Sequence, residues 1–229
     1  MGAPARFPSG VSTRPITANF GSYPMADPVR TGGNAGLGIC HYTQDFTVTG
    51  AADYTVTGTS SGFAIAAGTT GGVAVLTPGA STTASAAYSN TFVGLKSGQR
   101  SWFAARFKVS AVSGNVAFYC GLRAGSSAND GLWFAKAAAS TSVNVISTVS
   151  SSATTLATGV ATAAADTWLN VGFYYDGTDL LIYVDDALVA RAAAPTLTGA
   201  VLSPVFQLTP VNLETMTVDY IVASAEVAR

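Results

Sequence analysis

The sequence predicts an all-β protein, a jelly-roll sandwich of antiparallel strands preceded by an extended N-terminal arm. Three observations carry that expectation. From Asp45 onward the chain breaks into about twelve or more short runs rich in Val, Thr and aromatic residues, punctuated by Gly, Asp, Asn and Ser. Several runs alternate apolar and polar residues with the period of two that a pleated strand requires. No stretch holds a helical period for more than a turn or two, and many short strands with regular turn signals make a sandwich.

The chain divides into an arm over residues 1–38 and a sandwich over 39–229. Pro4, Pro8, Pro15, Pro24 and Pro28 break any helix or central strand in the arm, and Gly32, Gly33, Gly36 and Gly38 loosen its end. Phe7, Val11, Ile16, Phe20, Tyr23 and Met25 are spaced along it, more apolar residues than a linker usually carries. Two readings stand: an arm ordered by lying on a neighbouring surface, or a freely disordered one.

The first strands are expected in DFTVTG, ADYTVTG, GFAIAAG and GGVAVLTPG, followed by TTASAAYSNTFVGL. In SWFAARFKV, Phe103, Ala105, Phe107 and Val109 should face the core while Arg106 and Lys108 face out. Asn115 to Leu122 should pair with it as a hairpin across Ser113-Gly114. LWFAKA, VNVISTV and a weaker run from Ala153 to Thr162 come next. The clearest segment is Asp166 to Arg191, which reads as a three-stranded meander. Leu169, Val171, Phe173 and Tyr175 form one face, and Asp176-Gly177 and Asp185-Asp186 supply the turns. VLSPVFQLT is expected as an edge or interrupted strand because Pro204 cannot donate to a ladder. ETMTVDYIVAS closes the fold, with Met216, Val218, Tyr220 and Val222 on one face.

Composition narrows the function. The 229 residues are 48% hydrophobic and 10% charged, with a net charge of −1 and scattered basic residues, a poor match to a polyanion, so no nucleic-acid partner is expected. No membrane span and no signal peptide are expected either, which points to a soluble protein made in a cytoplasm. Cys40 and Cys120 are read as reduced thiols, Cys120 as a small buried hydrophobe.

No catalytic constellation is evident, and no cofactor is expected. His41 is the single histidine and reads as a loop residue, without G-x-S-x-G or HExxH around it. Most carboxylates sit where turns demand them, and Glu214 and Glu226 belong to no paired-carboxylate strand motif. Asp219 is expected at the surface or hydrogen-bonded. Asp185-Asp186 falls short of the oxygen ligands calcium requires. These absences predict a protein that is not an enzyme. Trp102, Trp133 and Trp168 are candidates for a sugar platform, although each lies in an apolar strand and is read first as core.

DTWLNVGFYYDGTDLLIYVDDALVAR resembles the W-x-x-x-x-x-x-Y-D-G and YVDG-x-x-V strands of concanavalin-like, laminin-G-like jelly rolls, with Asp186 where the last glycine usually stands. TMTVDYIVA resembles their closing strand. RFPSGVST, YPMADP, SWFAARFKVS, DGLWFAK and VDYIVA-x-x-E-x-A-R, in that order, resemble a family of tailed-bacteriophage virion proteins of the head decoration or cement type. The resemblance implies a non-enzymatic protein on the capsid surface, assembled in the host cytoplasm. Its expected partners are the major capsid protein and copies of itself, as a trimer or dimer. Phe7, Val11, Ile16, Phe20, Tyr23 and Met25 would then make the capsid and intersubunit contacts. The alternative is a lectin-like, glycan-binding module on a virion tail or fibre, and a hydrolase related to laminarinase-like sandwiches comes third.

Overall fold

A computed structural model describes residues 37–44, 46, 54–66, 72–79, 85–89, 93–95, 98–112, 114–124, 130–193, 197 and 201–228. Phe7, Val11, Ile16, Phe20, Tyr23 and Met25 lie outside the described residues, as does most of DFTVTG. In chain order the strands are β1 (Leu37–Gln44), β2 (Tyr54–Thr57), β3 (Gly62–Ile65), β4 (Ala74–Thr77), β5 (Ser85–Ser89), β6 (Val93–Gly94), β7 (Ser101–Val109) and β8 (Ala117–Arg123). β9 (Gly131–Lys136), β10 (Ser142–Val149), β11 (Ser152–Thr162), β12 (Leu169–Tyr175), β13 (Asp179–Val184), β14 (Ala187–Ala193), β15 (Val201–Thr209) and β16 (Met216–Ala228) follow.

These strands form two antiparallel, eight-stranded sheets. Sheet I runs β14-β13-β12-β7-β16-β4-β3, with β1 paired to the second half of β16. Sheet II runs β11-β10-β9-β8-β15-β5-β2, with β6 paired to the start of β15. The described residues contain no helix. The fold class is therefore the one expected, an all-β jelly-roll sandwich.

One core fills the space between the inner faces. Phe103 of β7 stacks on Phe173 of β12 within sheet I at 5.2 Å, and Phe107 meets Phe118 of β8 edge-on across the sandwich at 5.3 Å. Phe46, Tyr54, Phe63 and Phe206 make a second aromatic group in the same core. Cys120 is fully buried there, and burial pushes its thiol well above the usual value.

The β12–β14 meander forms for the reasons its sequence gives. Gly177 has a φ of +103°, and the Asp176 carboxylate accepts hydrogen bonds from the backbone N–H groups of Thr178 and Asp179, both at 2.8 Å. Asp185 and Asp186 have φ values of +48° and +66°, the left-handed pair a two-residue hairpin turn needs. Their carboxylates accept from the backbone N–H and the side-chain amide of Asn170, so the second turn is tied back to β12.

Several expectations are corrected or narrowed. β8 does not pair with β7: it lies between β9 and β15 in sheet II and faces β7 across the core, because alternation sets which face a strand buries and not its neighbour. Of the two forms expected for β15, edge or interrupted, the structure shows the second. β15 pairs with β8 from Ser203 to Thr209, and its other ladder is split between β6 at Val201–Leu202 and β5 at Val205–Leu208. Pro204 falls in that gap, where a missing donor is tolerated. β16 carries a bulge between Val218 and Tyr220 that reverses its alternation. Met216 and Val218 face in before it, Ile221, Ala223 and Ala225 after it. Residues 37–44 form strand β1, ahead of Asp45, where the β pattern is expected to begin. His41 accordingly sits in that strand opposite Ser224, not in a loop.

Candidate functional site on the outer face of sheet II

The outer face of sheet II is built by three rungs that cross β15, β8, β9 and β10. The first is Gln207–Tyr119–Ala135–Asn144, the second Val205–Gly121–Trp133–Ile146, the third Ser203–Arg123–Gly131–Thr148. Alternate residues of each strand share a face, so these side chains stand opposite the core residues Phe118, Cys120, Leu122, Leu132, Phe134 and Phe206.

The two glycines make room for the tryptophan. A Cβ on Gly131 would fall 2.0 Å from Trp133 Cζ3, so the six-membered ring of the indole lies over that residue. A Cβ on Gly121 would fall 2.6 Å from Trp133 Cα and 2.3 Å from the Leu132 carbonyl oxygen. The indole thus lies along the sheet surface, held at one side by Tyr119 edge-on at 5.9 Å. Trp133 is 6% exposed, and its Nε1–H is buried without a hydrogen-bond partner. Ser203 Oγ on the third rung is in the same condition.

A cavity of about 310 Å³ opens over this surface, lined by Tyr119, Arg123, Trp133, Ile146, Thr148, Ser151, Ala153, Val205 and Gln207. Arg123 is 7% exposed and donates from Nη1 to Gln207 Oε1 at 2.7 Å, which fixes the plane of its guanidinium. Among the described residues lining the cavity, Arg123 is the one charged side chain. An indole lining a cavity beside a fixed hydrogen-bond donor suits a sugar, whose apolar C–H groups meet the ring and whose hydroxyls meet the polar lining.

The other candidates are occupied structurally. Trp102 stacks on Tyr174 at 5.4 Å on the outer face of sheet I, with Tyr183 packed against it. Trp168 lies beneath the Arg106 guanidinium at 4.6 Å and the Lys108 ammonium at 5.5 Å. Asp219, at the bulge of β16, pairs with Arg106 at 2.7 Å. Tyr220 donates to Asn170 Oδ1 at 2.8 Å, and burial, helped by the nearby Asp186 charge, pushes its hydroxyl up to about 12. Glu214 accepts from the backbone N–H groups of Val211 and Asn212. Glu226 accepts from Arg100 Nε at 2.7 Å and from the Arg100 backbone N–H at 2.9 Å. Glu214 and Glu226 therefore fix a turn and a strand end, and neither lines the cavity.

The sequence does not single out Tyr119, Arg123 or Gln207. Their signal is the alternation itself: in AFYCGLR, Tyr119, Gly121 and Arg123 oppose Phe118, Cys120 and Leu122. A tyrosine and an arginine two residues either side of a glycine, next to a strand bearing tryptophan, mark such a surface.

No family model and no curated protein matches the chain. Solved structures do. A prokaryotic β-1,3-1,4-glucanase from a mouse hindgut metagenome aligns with a TM-score of 0.59 at 11% identity, over 80% of this chain and 98% of its own. The lectin UEA-II, complexed with galactose, gives 0.57 at 12% identity, over 81% and 98%. A carbohydrate-binding module from Bacillus subtilis gives 0.50 at 16% identity, over 73% and 92%.

At these identities the likeness shows the fold, and the chain is a concanavalin-like jelly roll. Two consequences follow for the expectations above. The prediction of a non-enzyme is corrected: a glucanase shares this architecture, so the fold points away from that exclusion, which missing motifs alone do not sustain. The head-cement reading finds no support among these neighbours, whose names speak of carbohydrate binding and glucan cleavage.

Proposed function

We propose that this jelly roll recognises a glycan on the outer face of sheet II, with Trp133 as the stacking surface and Tyr119, Arg123 and Gln207 as the polar rim. The observation that carries the reading is the indole laid over Gly131 in a cavity of about 310 Å³, with its N–H unsatisfied. An unsatisfied buried donor costs roughly 1–3 kcal/mol, and a sugar oxygen arriving at the cavity would recover part of it. The concanavalin-like fold supports the reading, since a lectin and a carbohydrate-binding module share it.

Affinity electrophoresis through gels containing soluble polysaccharides tests it. The wild-type protein should be retarded by at least one polysaccharide, and Trp133→Ala should migrate freely in the same gel. Equal retardation of the two proteins would move the site elsewhere. The same mixtures assayed for new reducing ends report whether binding leads to cleavage.

A further inference from the structure

We propose that a second copy of this chain docks along the side of the sandwich where β14 and β11 are the outermost strands, pairing two protomers across a two-fold axis. The inference stands apart from the glycan-binding reading and concerns a different surface.

β14 ends sheet I and β11 ends sheet II, and the two strands lie against one another on the same side of the molecule. Among the described strands each has one hydrogen-bonded neighbour, β13 for β14 and β10 for β11. Backbone N–H and C=O groups on their outer margins therefore point away from the sheet, where another strand can satisfy them. The opposite side of the sandwich ends in β3 and β2, each four residues long, against seven for β14 and eleven for β11.

This side holds apolar residues that do not become core. Every residue of β9 is buried, and β10 alternates buried with half-buried positions. No residue of β14 or β11 is buried, although Ala190, Leu156, Ala157 and Val160 pack against the margin of the core. Leu188 is 47% exposed and Val189 is 42% exposed, two of the three exposed large hydrophobic residues among the described ones. Adjacent on the outermost strand of a sheet, they form a surface that gains from being covered.

Charge and area identify what covers it. Residues 137–165, which include all of β11, contain no Asp, Glu, Lys or Arg. β14 carries one charge, Arg191, already paired with Asp179 of its own chain. A side this neutral meets an identical copy without like-charge repulsion and offers nothing to steer a charged partner. Neither strand contains the Pro or Lys that commonly block an edge. Each does carry a bulge, which confines ladder pairing to the regular stretches 152–155 and 190–193 and favours a closed pair over an open stack. An eleven-residue strand is about 35 Å long, and two sheets about 10 Å apart with their side chains make a side roughly 15 Å wide. Covering it buries on the order of 500–600 Å² on each protomer, or about 1,000–1,200 Å² in all, the lower limit for a specific interface. That area fits a dimer that dissociates in the micromolar range.

Sedimentation velocity of the full chain from about 1 to 200 µM tests the proposal. The wild-type protein should pass from monomer to dimer across that range, with no larger species. Leu188→Lys combined with Val189→Lys places two ammonium groups on each copy of the surface and should weaken association about tenfold or more. Leu213→Lys, at an exposed position outside both strands, should associate as wild type does. Hydrogen exchange on the wild-type protein gives a second readout: amides of β14 and β11 should exchange more slowly at the high concentration than at the low one, and those of β2 and β3 at the same rate in both.

A monomer throughout the range would overturn the proposal, as would a trimer or an open-ended series. A dimer that persists unchanged in the double variant, or that forms without slowing exchange in β14 and β11, would overturn this side as the interface. If the double variant fails to fold, the exchange comparison on the wild-type protein decides. The glycan-binding reading stands or falls separately, on retardation by polysaccharide.

Discussion

Replacing Gly131 with alanine should dislodge the indole that defines the candidate site. The new methyl would stand 2.0 Å from Trp133 Cζ3, 2.6 Å from Cε3 and 2.8 Å from the Leu122 carbonyl oxygen. Carbon atoms rest at about 3.5–4.0 Å, so the ring edge has to retreat by roughly 1.5 Å or more. It can do so only by lifting off the sheet, because the carbonyl on the other side is backbone. Overpacking of this kind costs about 1–3 kcal/mol. For a chain of this size that corresponds to a melting temperature lower by roughly 2–12 °C. Glycan affinity should fall with it, since the stacking surface is tilted out of the cavity. Gly62→Ala is the control: the same change in a strand, with nothing within 4 Å of the added carbon, should leave both quantities near wild type. Thermal melts, near-UV circular dichroism and affinity electrophoresis measure the pair. If Gly131→Ala melts and binds as Gly62→Ala does, the indole does not lie where the argument needs it.

Other outcomes follow from the same packing. At Glu226 burial favours the protonated form, but hydrogen bonds from Arg100 outweigh it and hold the carboxyl below its usual value near 4.5; at Glu214 the backbone N–H groups of Asn212 and Val211 do the same. The unfolded chain then takes up more protons on acidification, so the stabilisation is complete above pH 4.5 and is lost as pH falls through the folded values. Urea titrations between neutral and acidic pH should show that loss, with a shallower slope for Glu226→Gln. Lys136 is fully buried on the inward row of β9, donates to the Val116 carbonyl, and burial lowers its pKa. Both Lys136→Ala and Lys136→Met orphan that carbonyl, but the alanine also leaves a cavity and should cost about 2–4 kcal/mol, more than the methionine, as urea denaturation would show. Asp185→Val puts a β-branched residue at a φ of +48° and should lower stability by about 1–2 kcal/mol in the same assay.

The Asp166–Arg191 meander was legible in the sequence because local rules fix it: strict alternation, two turns of residues tolerant of positive φ, and short loops that leave one pairing open. Pairings between distant segments were not. Alternation in AFYCGLR assigns faces but is silent on partners, so β8 reads equally well as a hairpin with β7 or as a strand of the opposite sheet. The bulge in β16 leaves no mark either, since Thr217-Val218-Asp219-Tyr220 alternates plausibly in both registers. The candidate site was hidden by burial on both faces. Every residue of β9 is buried, so no polarity contrast separates the outward Trp133 from the inward Phe134. Gly121 and Gly131 look like turn or spacer residues until their Cβ positions are considered: that of Gly131 is occupied by the indole from the next rung, and that of Gly121 by the Leu132 carbonyl and the Trp133 Cα of the next strand.

The central claim concerns a place on the molecule, and a structure of the protein with a bound oligosaccharide, drawn from whichever polysaccharide retards it most, tests it most directly. A sugar ring should rest against Trp133 within the rungs of β15, β8, β9 and β10, with an oxygen near the indole Nε1–H. An oligosaccharide seated on the outer face of sheet I, or along the loops that join the sheets, with the Trp133 surface bare, would contradict it.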